Sequence, residues 1–385
     1  MKSIAILGGG ASALMCACFI KDNVSVDIIE ENDKVGKKIL ATGNGRCNLS
    51  NANMNKYSYS CDINKYLNRF SVAQTIDFFK SIGLITYVDE EGRIYPFSNS
   101  AVSVLEVLKN YLSNKSNIHF LTGKKFLDLE KVGEEFKVIL QDEILSYNKV
   151  VVALGNKADL TMFNKFNIST KPFTPSLCAL KTTKNKNLAG VRVDNVRVVC
   201  KDVNFDEQGE ILFREDGISG IVIFNLSAYL ARNNNYNTDI LLDFVPNLTE
   251  QDLFQMLKNR VNLLKNYKID NFLTGIFIKQ LNYDFMQRLK FDLDKKVSLL
   301  TDNQILSLAK LIKNYHINTL GYLNNNQVCS GGVELKSLDN NLQAKNIDGL
   351  FFIGEVVNVD GVCGGYNLQW SWASGKIVGE NLWNL

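Results

Sequence analysis

Ser3-Ile4-Ala5-Ile6-Leu7-Gly8-Gly9-Gly10-Ala11-Ser12-Ala13 decides the fold. Ser3 to Leu7 is a short apolar run with the length of a buried strand, and Ala11 to Lys21 is rich in helix formers. Ser25 to Ile29 is a second apolar run, closed by Glu30. Strand, glycine turn, helix, strand and terminal acid together form Gly8-x-Gly10-x-x-Ala13 with an acidic residue about 20 positions on, the dinucleotide-binding fingerprint. Each position has a physical task. Gly8 permits the turn, Gly10 lets a pyrophosphate approach the backbone, and Ala13 lets helix and strand pack closely. The free N–H groups at the helix start face the phosphates, and Glu30 is placed to accept the adenosine ribose hydroxyls.

Working outward, Gly36-Lys37-Lys38-Ile39-Leu40-Ala41-Thr42-Gly43-Asn44-Gly45-Arg46-Cys47-Asn48 reads as a glycine-punctuated polar loop able to wrap an extended ligand. A nicotinamide-binding domain would continue instead into a further strand–helix–strand unit. Arg46 offers a guanidinium suited to a pyrophosphate, and Asn44 and Asn48 offer amides for flavin edge atoms or for the loop itself. From Asn64 to Leu112 the periodicity is helical, broken by Gly92-Arg93-Ile94-Tyr95-Pro96. Ile118 to Leu121, Phe126 to Glu130, Phe136 to Leu140 and Val150 to Leu154 then read as strands, the last ending in Ala153-Leu154-Gly155, beside a cofactor in folds of this kind.

From about Pro175 short extended segments predict a small β-barrel or sandwich: Val191 to Val193, Val196 to Cys200, Ile211 to Phe213 and Ile240 to Phe244, with Gly217 to Gly220 as a turn. Thr249-x-x-Asp252 and Thr301-x-x-Gln304 read as helix N-caps, the second a capping box, each opening an amphipathic helix. After about Asn326 the pattern of the first module returns. Ser330-Gly331-Gly332-Val333 reads as a tight turn and Gly349 to Ile353 as a buried strand. Asp360-Gly361-Val362-Cys363-Gly364-Gly365-Tyr366-Asn367 opens a helix running to about Leu382. That helix start can direct its dipole at a flavin ring. Glu355 and Asp360 are placed for ribityl hydroxyls, with capping or solvation as the alternative.

These residues resemble the YhiN/BaiN-like family of bacterial FAD-dependent oxidoreductases, which includes the HI-type and aminoacetone oxidase-like flavoproteins. The landmarks are Ile6 to Ala13, Thr42 to Asn48, Gly92 to Pro96, Pro175 to Leu180, Gly217 to Gly220, Ser330 to Val333 and Gly354 to Asn367. Departures are Ala13 for a usual glycine, Leu154-Gly155-Asn156 for Thr-Gly-Gly, Asn358 for a common aspartate, and Arg214-Glu215 for a polar pair usually containing threonine. The resemblance implies an α/β fold: a two-dinucleotide-type FAD/NAD(P)-binding Rossmann-like domain with an inserted β-barrel and a helical subdomain. The expected boundaries are 1–175 with 326–385 for the FAD-binding domain, 176–248 with 317–325 for the barrel, and 249–316 for the helices. The expected cofactor contacts are Gly8, Gly10, Ala11, Ser12, Ala13, Glu30, Glu31, Lys38, Thr42, Gly43, Asn44, Arg46, Cys47, Asn48, Phe126, Ala153, Leu154, Gly155, Gly332, Gly354, Glu355, Asp360, Gly365, Tyr366, Asn367 and Leu368.

The implied activity passes hydride through flavin N5, with NAD(P)H as a transient co-substrate and a small organic molecule as substrate. An amine oxidase using O2, and a non-enzymatic or RNA-linked FAD protein, are the alternatives. The flavin carries the reaction itself, leaving Tyr366 and Cys363 as the side-chain candidates beside it; a redox role for Cys47, Cys329 or Cys363 competes with simple packing. His119 and His316 are not placed as general bases.

Composition narrows the field further. The chain has 385 residues, too many for one core at about 100 to 200 residues per domain, and 46% are hydrophobic, too many for disorder. Its 43 Lys and Arg stand against 40 Asp and Glu, without the basic stripe that nucleic acid requires. Eight cysteines show no CxxC and no metal spacing, so a reducing cytoplasm is expected and no metal. Ile4 to Ile20 is broken by three glycines where a signal peptide needs an apolar helix, and no run approaches a membrane span. Oligomeric state is not legible.

Overall fold

A computed structural model describes residues 2–54, 58–323 and 328–382. It divides into two compact units: Met1–Thr174 with Gln327–Leu385, and Pro175–Asn326. The expected module boundary at 325/326 lies outside the described residues.

The first unit is built on a five-stranded parallel sheet in the order Leu350–Phe352, Lys149–Val152, Ser3–Leu7, Ser25–Glu30, Ile118–Thr122. All of Lys149–Val152 and Leu350–Phe352 is buried, as befits strands covered on both faces. Helix Ala11–Phe19 packs on helix Tyr366–Asn381 so closely that a Cβ on Gly379 would lie 2.4 Å from the Cys16 carbonyl oxygen. Two antiparallel three-stranded sheets flank this core: Ser50–Asn51, Arg93–Pro96 and Thr86–Val88 in one, and Phe126–Val132, Glu135–Leu140 and Ile144–Tyr147 in the other. Ser50 is tied to the last helix by its hydroxyl, which donates to Gln369 Oε1 at 2.8 Å, and Leu49 by the Trp372 indole, 3.0 Å from its carbonyl.

The second unit is a closed six-stranded barrel in the order Leu180–Thr182, Gly217–Ser219, Phe205–Arg214, Arg192–Cys200, Asp239–Asp243, Tyr315–Tyr322. Helices Glu250–Leu263 and Asp302–Lys313 both begin with full capping boxes, at Thr249 and Thr301. Their buried Leu253, Leu257, Ile305 and Leu308 join the same apolar core as barrel residues Val198, Ile240 and Leu242.

Several local expectations are corrected. The polar loop after Gly36 contains a short helix, Lys37–Ala41, because Ile39 is buried. Gly217–Ser219 is a barrel strand and not a turn, and Ile221–Arg232 is a helix not foreseen in its Ile-Val-Ile opening. Val328–Val333 is a strand, and its glycines serve close chain approach: a Cβ on Gly331 would lie 2.2 Å from the Pro172 carbonyl oxygen, and one on Gly332 2.3 Å from that of Val356. His316 follows helix Asp302–Lys313 and lies within strand Tyr315–Tyr322.

Candidate functional site

The carboxyl ends of the parallel strands border a cavity of about 720 Å³, within the size range of cofactor sites. Its base is the Gly8–Gly10 turn. Gly8 has φ +99°, and a Cβ there would sit 2.6 Å from the Ala153 carbonyl oxygen, so only glycine fits. Gly10 is the N-cap of helix Ala11–Phe19 and offers no capping side chain. A Cβ on Gly10 would meet nothing within 4 Å, so the helix start faces open space where a phosphate can lie against its N–H groups.

Glu30 is held by donors of the protein itself. Its Oε2 accepts from Gly9 N at 2.8 Å, and its Oε1 accepts from Asn32 N at 2.9 Å and from the Asn32 side-chain amide. One carboxylate therefore ties the glycine turn to the end of the second strand, with further lone pairs for hydroxyls. Beside it, Glu31 pairs with Lys157 at 2.5 Å, and that hydrogen bond holds its carboxyl below the usual range.

A ring of four residues closes another part of the wall. Lys38 Nζ reaches Glu355 Oε2 at 2.5 Å and Asn156 Oδ1 at 3.1 Å. Asn156 Nδ2 contacts Cys329 Sγ at 3.3 Å, and Cys329 N donates to Glu355 Oε1 at 3.0 Å. Lys38 and Glu355 are 317 positions apart in sequence, so the two ends of the chain meet here through a charge pair.

Of the expected contacts, Gly8, Gly10, Ala11, Ser12, Glu30, Glu31, Lys38, Thr42, Phe126, Ala153, Leu154, Gly155, Glu355, Asn367 and Leu368 line this cavity. Ala13 does not; it is fully buried in packing. Arg46 instead lies 4.5 Å over the Tyr95 ring and donates to its hydroxyl at 3.3 Å. Gly43, Asn44 and Cys47 take left-handed backbone conformations that shape the turn. Asn48, with its amide oriented to satisfy both ends, donates to Ser50 O at 2.9 Å and accepts from Gly365 N at 3.2 Å. Gly365 leaves room for protein: its Cβ would lie 2.5 Å from the Ser50 carbonyl oxygen. Gly354 makes room for Ser12, and Gly332 for Val356.

Asp360 is buried, and accepts from the Ser330 hydroxyl at 3.1 Å. Tyr366 packs edge-on against Tyr59 with ring centroids 5.9 Å apart. Cys363 is partly buried, and burial pushes its thiol up. Sequence reasoning missed Lys124, Lys125, Leu127, Asn156, Lys157, Met162, Trp370 and Ser371, which also line the cavity. The signal for Lys124 and Lys125 was available: both follow the carboxyl end of a parallel strand, where ligands bind in open α/β sheets.

Among the described residues no group of acidic, histidine or cysteine side chains could hold a metal ion, and no helix is long and apolar enough to cross a membrane.

A glycine turn at a helix start, an acid at the next strand's end and a cavity at the strands' carboxyl ends define a Rossmann-type dinucleotide-binding protein. The chain belongs to the HI0933-like family, whose Rossmann-domain model matches residues 2–381, and it is by membership an FAD-dependent flavoprotein oxidoreductase. It is 31% identical to the 3-dehydro-bile acid delta(4,6)-reductase of Clostridium scindens, over 99% of this chain and 98% of that one. It is 26% identical to the ribosomal RNA dihydrouridine synthase of Escherichia coli, over 98% and 97% of the two chains. Among solved structures it is similar to the 3-ketosteroid delta1-dehydrogenase of Sterolibacterium denitrificans, at a TM-score of 0.48 and 11% identity over 99% of each chain.

Proposed function

We propose that this protein binds FAD in the cavity and reduces a carbon–carbon double bond conjugated to a carbonyl, drawing its electrons from NAD(P)H. The observation that carries the cofactor assignment is the open space above Gly10, between an uncapped helix start and the fixed carboxylate of Glu30. In this reading the helix start holds the pyrophosphate and Glu30 accepts the ribose hydroxyls. Lys38 neutralises phosphate charge, while Glu355 turns to the ribityl chain. When bound, FAD supplies a ring that accepts hydride from one molecule and gives it to another.

The substrate class draws on the two full-length relatives. A 3-dehydro-bile acid with delta(4,6) unsaturation and the uracil ring that becomes dihydrouridine share one feature, a C=C bond conjugated to C=O. A small enone is the first choice, since 43 basic against 40 acidic residues supply little field for a polyanion. A uridine of ribosomal RNA is the second reading, favoured by the full-length likeness to the synthases of Escherichia coli and Haemophilus influenzae.

Anaerobic mixing of the holoprotein with NADH and with NADPH, followed by an enone, tests the proposal. Flavin absorbance should bleach with at least one nicotinamide and return with the enone. Bleaching by an amine alone, with recovery only in O2, would point to an amine oxidase. Recovery with an unmodified ribosomal RNA transcript and not with enones would select the second reading.

A further inference from the structure

Three segments that the fold brings together lie beside the cavity and, Thr42 apart, do not line it: the Thr42–Asn48 turn, strand Arg93–Pro96, whose Tyr95 is 3% exposed, and the loop ahead of helix Tyr366–Asn381. They converge on one cluster. Arg46 is exposed, and its guanidinium stands 4.5 Å over the Tyr95 ring with Nη2 3.3 Å from the Tyr95 hydroxyl. Arg93 shares the Tyr95 side of the strand, two residues away, and the loop ahead of the last helix meets the turn where Gly365 N donates to the Asn48 side chain at 3.2 Å. The cluster borders the cavity wall: Thr42 lines the cavity, and a Cβ on the next residue, Gly43, would lie 3.5 Å from Tyr95 Cε1. Asn367 and Leu368, just past Cys363, line the cavity too.

We propose that Tyr95 is the proton donor of the reduction, with Arg46 as the residue that positions its hydroxyl and stabilises the substrate oxygen. This rests on the enone reading above. With FAD held in the cavity, the cofactor would supply hydride, with its electron pair, to the β-carbon. The C=C π pair becomes the π bond between Cα and the carbonyl carbon, and the C=O π pair moves onto oxygen, giving an enolate. One guanidinium N–H is used on Tyr95, and others remain for that oxygen. The Tyr95 O–H bond then breaks, its proton goes to the α-carbon, and the phenolate is reprotonated by water. The nicotinamide is the net reductant. Burial raises the phenol above its ordinary value, against the pull of Arg93 and Arg46, so it carries its proton at neutral pH.

The test is single-turnover reoxidation of the reduced holoprotein by 2-cyclohexen-1-one. Tyr95→Phe should keep its FAD content and its rate of reduction by nicotinamide. Its reoxidation by the enone should slow by at least about 100-fold, while reoxidation by ferricyanide, which takes electrons alone, stays at the wild-type rate. In D2O the wild type should place deuterium on one face of the α-carbon, and the variant should scramble it. Arg46→Gln, at an exposed position, should slow the same step. It should also move the alkaline fall of that rate to higher pH, because the cation facing the phenol is gone while Arg93, Asp89 and Cys363 remain. Should Tyr95→Phe fail to hold FAD, the shift in Arg46→Gln decides the matter. Wild-type reoxidation and stereochemistry in Tyr95→Phe, an unmoved pH profile in Arg46→Gln, or slowing confined to Cys363→Ser would each overturn the proposal. A wild-type protein that reduces no enone would overturn the reaction class, and this inference with it.

Discussion

Glutamine at position 30 would turn an amide N–H2 toward one of two backbone donors, Gly9 N or Asn32 N, each now bonded to a carboxylate oxygen. Glu30→Gln should therefore weaken FAD binding through loss of a charge-assisted bond worth roughly 1.5 to 3 kcal/mol, about ten- to a hundredfold in Kd by titration. Unchanged affinity would remove Glu30 from the site. Cys47 makes a contrasting case. Burial, partly offset by the Thr42 hydroxyl, pushes its thiol up to about 11, so thiolate is scarce at neutral pH and grows only as pH rises toward that value. Native-state alkylation read by mass spectrometry should leave Cys47 unlabelled at pH 7.5; rapid labelling there would restore a redox role. The place of Glu30 at the end of the second strand was legible because the fingerprint sets its distance from the glycine turn, and its carboxylate bonds Gly9 N of that turn. The contact of Arg46 with Tyr95 was not legible, because the two lie 49 residues apart and only the fold pairs them.

Helices Ala11–Phe19 and Tyr366–Asn381 meet through glycines. A Cβ on Gly375 would lie 2.5 Å from the Ser12 carbonyl oxygen, and one on Gly379 would lie 2.4 Å from that of Cys16. Both obstacles are backbone, which cannot rotate aside. Gly379→Val should thus destabilise the protein by at least about 1 to 3 kcal/mol in chemical denaturation, and loosen FAD by separating two helix starts that border one cavity. Full stability with full FAD content would show that the pair tolerates separation. Elements with local signals were readable: Thr249 and Thr301 cap helices through residues three positions on. Helix Ile221–Arg232 was not, since Gly220 supplies no capping side chain and Ile221, Val222 and Ile223 favour strands. Buried Val222, Ile223, Leu226 and Leu230 stabilise it through packing that no local window contains. The Ser330–Val333 segment misled for a related reason, its glycines answering to carbonyls of Pro172 and Val356 rather than to a turn.

At the scale of the molecule, the described residues that line the cavity all belong to the unit made of 1–174 and 327–385. Hydrogen exchange of FAD-loaded against stripped protein should show protection at 8–12, 30–42, 124–127, 153–157 and 355–371. The helices around Leu257 and Leu308 should change far less, and the reverse pattern would place the cofactor elsewhere. The two-segment layout was legible because glycine-rich signatures stand at both ends of the sequence, while the closed barrel was not distinguishable from a sandwich by strand lengths alone.

The edge strand Leu350–Phe352 pairs with Lys149–Val152 only after the whole of 175–326 has been made. During synthesis at 5–20 residues per second, the half-built sheet therefore waits about 10 to 40 seconds with the Lys149–Val152 edge open. A nascent chain in that interval carries the glycine turn and Glu30 but lacks Glu355 and the last helix, so it offers FAD half a cradle and a chaperone an unpaired strand.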